Sequence, residues 1–171
     1  MNAKIESEPG AVKQRTTVER TSDREVVVTR TINGPARIVF EAFTKADLLR
    51  RWWVPKSMGM TLLSCEVDAR VGGKYRLVFD ADPEPVAFFG TYVEVQPHSR
   101  LAWTNDEGGE GGSVTTVTFE ENGGKTLVVL SERYPSKEAL DAAGTGAADA
   151  MVETFNQLDE LLVALGESSG Q

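Results

Sequence analysis

The chain has one cysteine and one histidine among its 171 residues. A single cysteine, Cys65, excludes an internal disulfide and any multi-cysteine metal site. With His98 as the lone imidazole, a histidine-based metal cluster is excluded too, so no metal or other cofactor is expected. No apolar run approaches the roughly 20 residues that a membrane-spanning helix needs. Positive charge is also short: 18 Lys and Arg face 26 Asp and Glu, a net charge of −8. No basic cluster extends beyond Arg50-Arg51. Nucleic acid and anionic membrane both ask for clustered positive charge, so neither a nucleic-acid partner nor membrane insertion is expected. The N-terminal stretch through Glu25 has no apolar core of the secretory-signal kind, and a cytoplasmic location is the expectation.

What is present is patterned. Residues 1–23 are polar and aperiodic and read as a flexible tail, with some extended structure near Thr16 to Arg20. Structure is expected from residue 24 to residue 165, a single domain, with 166–171 as a second tail. The run EVVVTRTI from Glu25 is β-branched and of strand length. Asn33-Gly34-Pro35 then signals a helix start, and ARIVFEAFT carries Val39, Phe40 and Phe43 on one helical face. A second short helix, Ala46 to Trp53, ends before Pro55. From there the period becomes two. Six strands are expected near 61–69, 73–80, 86–96, 100–105, 113–120 and 125–133, joined by short turns and therefore antiparallel. The Gly-rich piece at 107–112 reads as a hairpin loop.

Ser136 is placed to cap a short helical turn. The main helix spans Thr145 to Leu165, with Ala148, Met151, Phe155, Leu158, Leu162 and Leu165 spaced by three and four in one stripe. Val152 and Leu161 widen the stripe, Glu153 and Gln157 fall on its opposite side, and Gly166 sits where a C-cap glycine belongs. The fold class is α+β: a curved antiparallel sheet of seven strands, two short helices between the first and second, and a long C-terminal helix across the sheet.

Several of these segments carry a family likeness. TRTINGPARIVFEAFTKADLLRRWWVPKSM resembles the start of proteins in the family called activator of heat-shock-protein-90 ATPase homologue-like. That family belongs to the START-like, or SRPBCC, superfamily. Further matching pieces are Asp68, Arg70, Gly72, Gly73, Tyr75 and Arg76, then Gly90, Tyr92, Glu94, Val95, Pro97, Arg100 and Leu101. Val117 to Phe119, Gly123 to Leu127, and Glu153, Thr154 and Leu158 to Leu162 complete the series. Each piece is weak alone, but their order over residues 24–165 is specific. The resemblance implies a helix-grip fold, a sheet wrapped around the C-terminal helix. It also implies a cavity between the two that can take an apolar small molecule. Fold does not fix function among such proteins.

Strand alternation nominates the cavity's walls. Tyr75, Leu77 and Phe79 share a face, as do Phe89, Thr91, Val93 and Val95. Trp103 and Val117 are assigned to the same interior. Met151 and Phe155 face them from the helix. Trp53, about 100° round the helix from a buried Trp52, is placed at the cavity mouth with Val54 to Met60 as a lid. The expected ligand-contacting set is therefore Trp53, Tyr75, Leu77, Phe79, Phe89, Thr91, Trp103, Val117, Met151 and Phe155. The plainer alternative for each is ordinary core packing.

Asp68 and Arg70 are either an acid and anion binder in a pocket or a surface ion pair. His98, following Pro97 in a turn, is expected in solvent, Cys65 as a small buried apolar group, and Glu120-Glu121 as solvated. No catalytic residue is assigned. The expected partner is a small apolar ligand. An enzyme of the polyketide cyclase or aromatase kind would need a proton-transfer group in the cavity, and Tyr75, Asp68 and Thr91 are its candidates. The family resemblance also suggests a chaperone-associated stress-response partner. Monomer and homodimer both remain open.

Overall fold

A computed structural model of the chain describes residues 16–106 and 112–169. The expected flexibility of residues 1–15, and most of the glycine-rich hairpin loop, lie outside these residues. The order is β1 (Thr17–Arg20), β2 (Glu25–Ile32), α1 (Ala36–Thr44), α2 (Ala46–Leu49), a 3-10 turn (Lys56–Met58) and β3 (Leu62–Val67). It continues with β4 (Lys74–Phe79), β5 (Val86–Gln96), β6 (Arg100–Thr104), β7 (Val114–Asn122), β8 (Lys125–Arg133), α3 (Lys137–Ala143) and α4 (Gly146–Ser169). The sheet has eight strands in the order β1-β2-β8-β7-β6-β5-β4-β3, and all its pairings are antiparallel. This is the helix-grip arrangement, with α4 held against the inner face of the sheet.

The extra strand is β1. TVER has one apolar residue in four, too few to announce a strand. It forms because the edge of β2 offers it a register, Thr17 opposite Thr29 through Arg20 opposite Val26. The ordered domain therefore begins before residue 24, and part of the expected tail is sheet. At the other end α4 runs through Gly166 to Ser169. Glycine permits a C-cap but does not compel one, at about 1 kcal/mol relative to Ala inside a helix.

The core is continuous between sheet and helices. Val26, Val28 and Ile32 of β2, Leu101 of β6, Val117 of β7 and Val128 and Leu130 of β8 are buried against Phe155, Leu158 and Leu162 of α4. Leu161 joins them, whereas Val152 is exposed. Full burial of one such side chain is worth about 1.5–3 kcal/mol.

Two polar anchors lock α4 in place. On β2 the inward alternation Val26, Val28, Arg30, Ile32 includes a guanidinium, and Arg30 is only 2% exposed. It donates to Asn156 Oδ1 and Thr16 Oγ1, both at 2.8 Å, and pairs with Asp159. Asp159 also accepts from the Asn33 amide at 2.9 Å, so one carboxylate ties β2 and the entry to α1 onto α4.

The second anchor is Gln157, which is buried rather than on the polar side of the helix. Its amide nitrogen donates to the carbonyls of Trp52 and Val54 at 3.0 and 2.9 Å, and its oxygen accepts from the Lys56 amide at 2.9 Å. An irregular chain segment must place its backbone groups somewhere, and this one uses a side chain.

Neither Asn33 nor Gly34 caps α1. Its N-cap is Pro35, which cannot cap by side chain, and Glu121 of β7 accepts from the Ala36 amide at 2.9 Å instead. A carboxylate at a helix N-terminus is favourable by charge as well as by hydrogen bonding. Glu121 is therefore more than a solvated turn residue. Ser136 does cap α3, accepting from the Ala139 amide at 3.0 Å.

Candidate functional site

The inner face of the sheet is not filled everywhere. Toward the β3–β5 side, between strands and α4, lies a cavity of about 370 Å³. It falls within the roughly 300–1,000 Å³ range of small-molecule sites. Tyr75, Leu77 and Phe79 of β4 form one wall, Phe88 and Tyr92 of β5 and Trp103 of β6 a second, and Ala150, Met151 and Thr154 of α4 the roof. Trp53, Val54, Pro55, Met58 and Met60 line it from the segment after α2.

Aromatic edges build the wall. The Tyr75, Tyr92 and Trp103 rings meet pairwise at centroid separations of 6.0–6.3 Å, and Trp53 stands 6.3 Å from Trp103. Each ring presents its edge to a neighbour's face, the favoured quadrupole arrangement. Trp52 turns the other way. It is fully buried, stacks on Phe155 at 6.0 Å and donates from Nε1 to the Ala42 carbonyl at 2.9 Å. The two indoles divide as their spacing predicts.

Gly90 makes room for Tyr75. The two face each other across β4 and β5, and a Cβ on Gly90 would stand 2.8 Å from Tyr75 Cε2 and 1.8 Å from the Thr104 carbonyl oxygen. With no side chain there, the ring crosses and its hydroxyl reaches Asn105 Oδ1 at 2.9 Å and the Thr104 carbonyl oxygen at 3.0 Å. Asn105 Nδ2 in turn donates to Ser113 Oγ at 3.0 Å and Thr115 Oγ1 at 2.9 Å. This places an ordered polar cluster at one side of a largely apolar cavity.

Farther along the sheet Tyr134 bonds weakly to Glu132 at 3.4 Å, and both line the cavity. Burial, then the charge of Glu132 and that hydrogen bond, push the Tyr134 phenol up to about 12. Burial does the same to Tyr92, whose phenol is raised still further. Both phenols therefore stay protonated at neutral pH.

The segment from Val54 to Met60 is tethered from α4. Besides the three bonds of Gln157, the Glu153 carboxylate accepts from the Ser57 amide at 2.9 Å and from the Ser57 hydroxyl. These bonds hold the Glu153 carboxyl below the usual glutamate value. Met58 is 59% exposed while still lining the cavity, so this segment presents flexible apolar side chains to both solvent and interior.

Of the ten nominated residues, Trp53, Tyr75, Leu77, Phe79, Trp103 and Met151 line this cavity. Val117 and Phe155 are fully buried in filled core beside it. Phe89 and Thr91 are corrections, because they face the outside of the sheet. Phe89 is 40% exposed, and both border a groove on that outer face with Glu66, Lys74 and Asp106.

The physical reason is a β-bulge. Tyr92 lies opposite Trp103 but Glu94 opposite Ala102, so Val93 is an extra residue in β5. A bulge reverses strand parity. Val95 packs on the core after it, while before it Phe88, Gly90 and Tyr92 face inward. Counting back from Val95 without the bulge inverts the face.

Among the cyclase-type candidates, only Tyr75 stands at the cavity. Asp68 is exposed in the turn after β3, where it pairs with Arg70 at 3.0 Å. His98 lies in a turn with φ 70° and packs edge-on against Phe40 at 5.6 Å. Cys65 is half-buried, its thiol raised by burial. Among the described residues no group of His, Cys, Asp and Glu side chains could hold a metal, and no helix is long and apolar enough to cross a membrane.

A curved antiparallel sheet gripping one long helix over a partly empty interior defines a helix-grip α+β protein. Comparison with family models takes this further: residues 33–163 match the family described as activator of Hsp90 ATPase homolog 1-like protein, and the chain belongs to that family. Solved structures agree on the fold. A protein from Rhodobacter sphaeroides superposes with a TM-score of 0.77 at 22% identity, covering 88% of this chain and 99% of its own. One from Chromobacterium violaceum gives 0.68 at 28% identity, covering 82% and 97%. An AHSA1-like protein from Aeromonas hydrophila gives 0.62 at 19% identity, covering 84% and 94%. A search of curated proteins finds no match.

Proposed function

We propose that this protein binds a small, largely apolar molecule in the cavity between β4–β6 and α4. The observation that carries the reading is a pocket of about 370 Å³ with aromatic walls, a few polar groups and a tethered covering segment. Cores normally pack to crystal-like density, so a pocket of this size, lined by eight aromatic side chains, is a feature to be explained. Convergent polar groups at Asn105, Ser113 and Thr115 supply orientation, and the apolar walls supply affinity. Binding here requires no chemistry of the protein.

The test is a fluorescence titration with N-phenylnaphthylamine, a neutral apolar dye whose emission rises in dry surroundings. A saturable one-to-one enhancement is expected. Emission no greater than in buffer would count against the reading. The association with the Hsp90 ATPase rests on the family description, and adding the protein to an Hsp90 ATPase assay tests it separately.

A further inference from the structure

The polar cluster at the cavity wall is arranged so that two hydroxyls end as donors. The Asn105 amide sets this up. The Ser113 carbonyl, which can only accept, lies 3.4 Å from Nδ2 and fixes which side of the amide carries the nitrogen. The two protons on that nitrogen are directed at Ser113 Oγ at 3.0 Å and Thr115 Oγ1 at 2.9 Å, so both hydroxyls accept there. A hydroxyl that accepts keeps one proton of its own to donate. Among the described residues, neither of these two hydroxyls donates to a protein group. Thr115 is 2% exposed and lies opposite Trp103 on the inner face of the sheet, and Ser113, Thr115 and Trp103 all line the cavity. Buried donors call for an acceptor, and the space in front of this pair is the cavity.

We infer that the cavity selects neutral ligands with a carbonyl oxygen at one end: the Ser113 and Thr115 hydroxyls donate to that oxygen, and the ligand's apolar body lies along Trp103, Tyr92 and Met151. This inference rests on the cavity-binding reading above and narrows it to a ligand class. One nitrogen holds both hydroxyl oxygens, so they stand side by side. A carbonyl oxygen has two lone pairs for two such donors and no proton of its own to place. An ammonium group brings only donors, the wrong polarity for this pair. An anion would exchange its water for neutral donors, since no lysine, arginine or histidine is among the described residues lining the cavity.

The experiment is displacement of bound N-phenylnaphthylamine by 2-decanone and by 2-methyl-1-decene, two probes of one shape that differ in C=O against C=CH2. The alkene sheds less water on entry, so the comparison is made between proteins and not between probes. In Thr115→Val, which keeps the volume, 2-decanone is expected to need a concentration about five-fold higher than in the parent, the range of one neutral hydrogen bond. The alkene should displace as in the parent, which shows that the cavity is intact. Ser113→Ala should act in the same direction, and Thr115→Ser, which retains the hydroxyl, should restore displacement by the ketone to near the parent value. Displacement by 2-decanone unchanged in both Thr115→Val and Ser113→Ala, or ketone and alkene weakened alike, would overturn the inference and leave the cavity reading standing. Absence of dye binding to the parent protein would overturn the cavity reading, and this inference with it.

Discussion

Gln157 is the residue whose removal tests most about how the cavity is built. It is an uncharged side chain on α4 that meets three backbone groups of the segment after α2: the Trp52 and Val54 carbonyls and the Lys56 amide. Gln157→Leu keeps the volume and removes all three bonds. The Trp52 carbonyl is buried, and leaving such a group without a partner costs about 1–3 kcal/mol. The other two groups are partly buried and can recover water, so each loses nearer the net value of a hydrogen bond, about 0.5–1.5 kcal/mol. A total near 4 kcal/mol follows, which for a chain of this size lowers Tm by about 12 °C.

Urea unfolding followed by far-UV circular dichroism gives the stability. Amide exchange at Lys56 reports whether this segment has come away from α4. Gln157→Glu sharpens the test. It can still accept from Lys56 but places lone pairs against two carbonyls, so at neutral pH it should be at least as damaging as leucine. A loss under about 0.5 kcal/mol in Gln157→Leu, with Lys56 exchange unchanged, would refute the reasoning, since that is the range of an ordinary surface substitution.

Other consequences are open to direct checks. Arg30→Met strands the Asp159 carboxylate of α4 against β2 and should destabilise the fold by about 3 kcal/mol in urea unfolding, and the double variant Arg30→Met/Asp159→Leu should recover much of that loss. Gly90→Ala drives a Cβ into the Thr104 carbonyl and the Tyr75 ring, so the variant should fail to accumulate as soluble protein or melt far below the parent. The Glu153 carboxyl is depressed in the folded state, so its contribution is present above the unfolded glutamate value and is lost as pH falls through the lower folded value. Amide exchange at Ser57 should rise across that acid range, and Ser57→Ala should move the Glu153 titration, followed by side-chain NMR, upward.

How much of this was legible in the sequence differs between sheet and site. Alternation and turn residues located β3 to β8 because inward positions such as Tyr75, Leu77 and Phe79 are apolar while Lys74 and Arg76 between them are charged. The three-and-four spacing located α4 for the same reason. β1 was only hinted at, since a polar edge strand draws its stability from the partner it adds to. Phe89 and Thr91 were misassigned because a bulge leaves no mark in composition, and Val93 looks like any other strand valine.

The polar side of the site was harder. Glu132 continues the inward parity of Val128 and Leu130, so alternation carried to the strand end would have found it. Asn105 and Thr115 owe their roles to a network across a hairpin, which no local pattern encodes. Arg30 and Gln157 broke the expected pattern, one a charge on an inward parity and the other an amide buried on the helix. Each meets hydrogen-bonding groups that only the tertiary fold brings within reach.

The central claim is that the space beneath α4 takes an apolar molecule. The chain has three tryptophans, and they divide between two kinds of surroundings. Trp53 and Trp103 line the cavity, while Trp52 is sealed in filled core with its Nε1 bound to the Ala42 carbonyl. The indole N–H resonances of nitrogen-labelled protein, followed during titration with N-phenylnaphthylamine, read all three at once. The account predicts large saturable shifts for Trp53 and Trp103 and a much smaller one for Trp52. Three indole resonances that stay in place through the titration would contradict it.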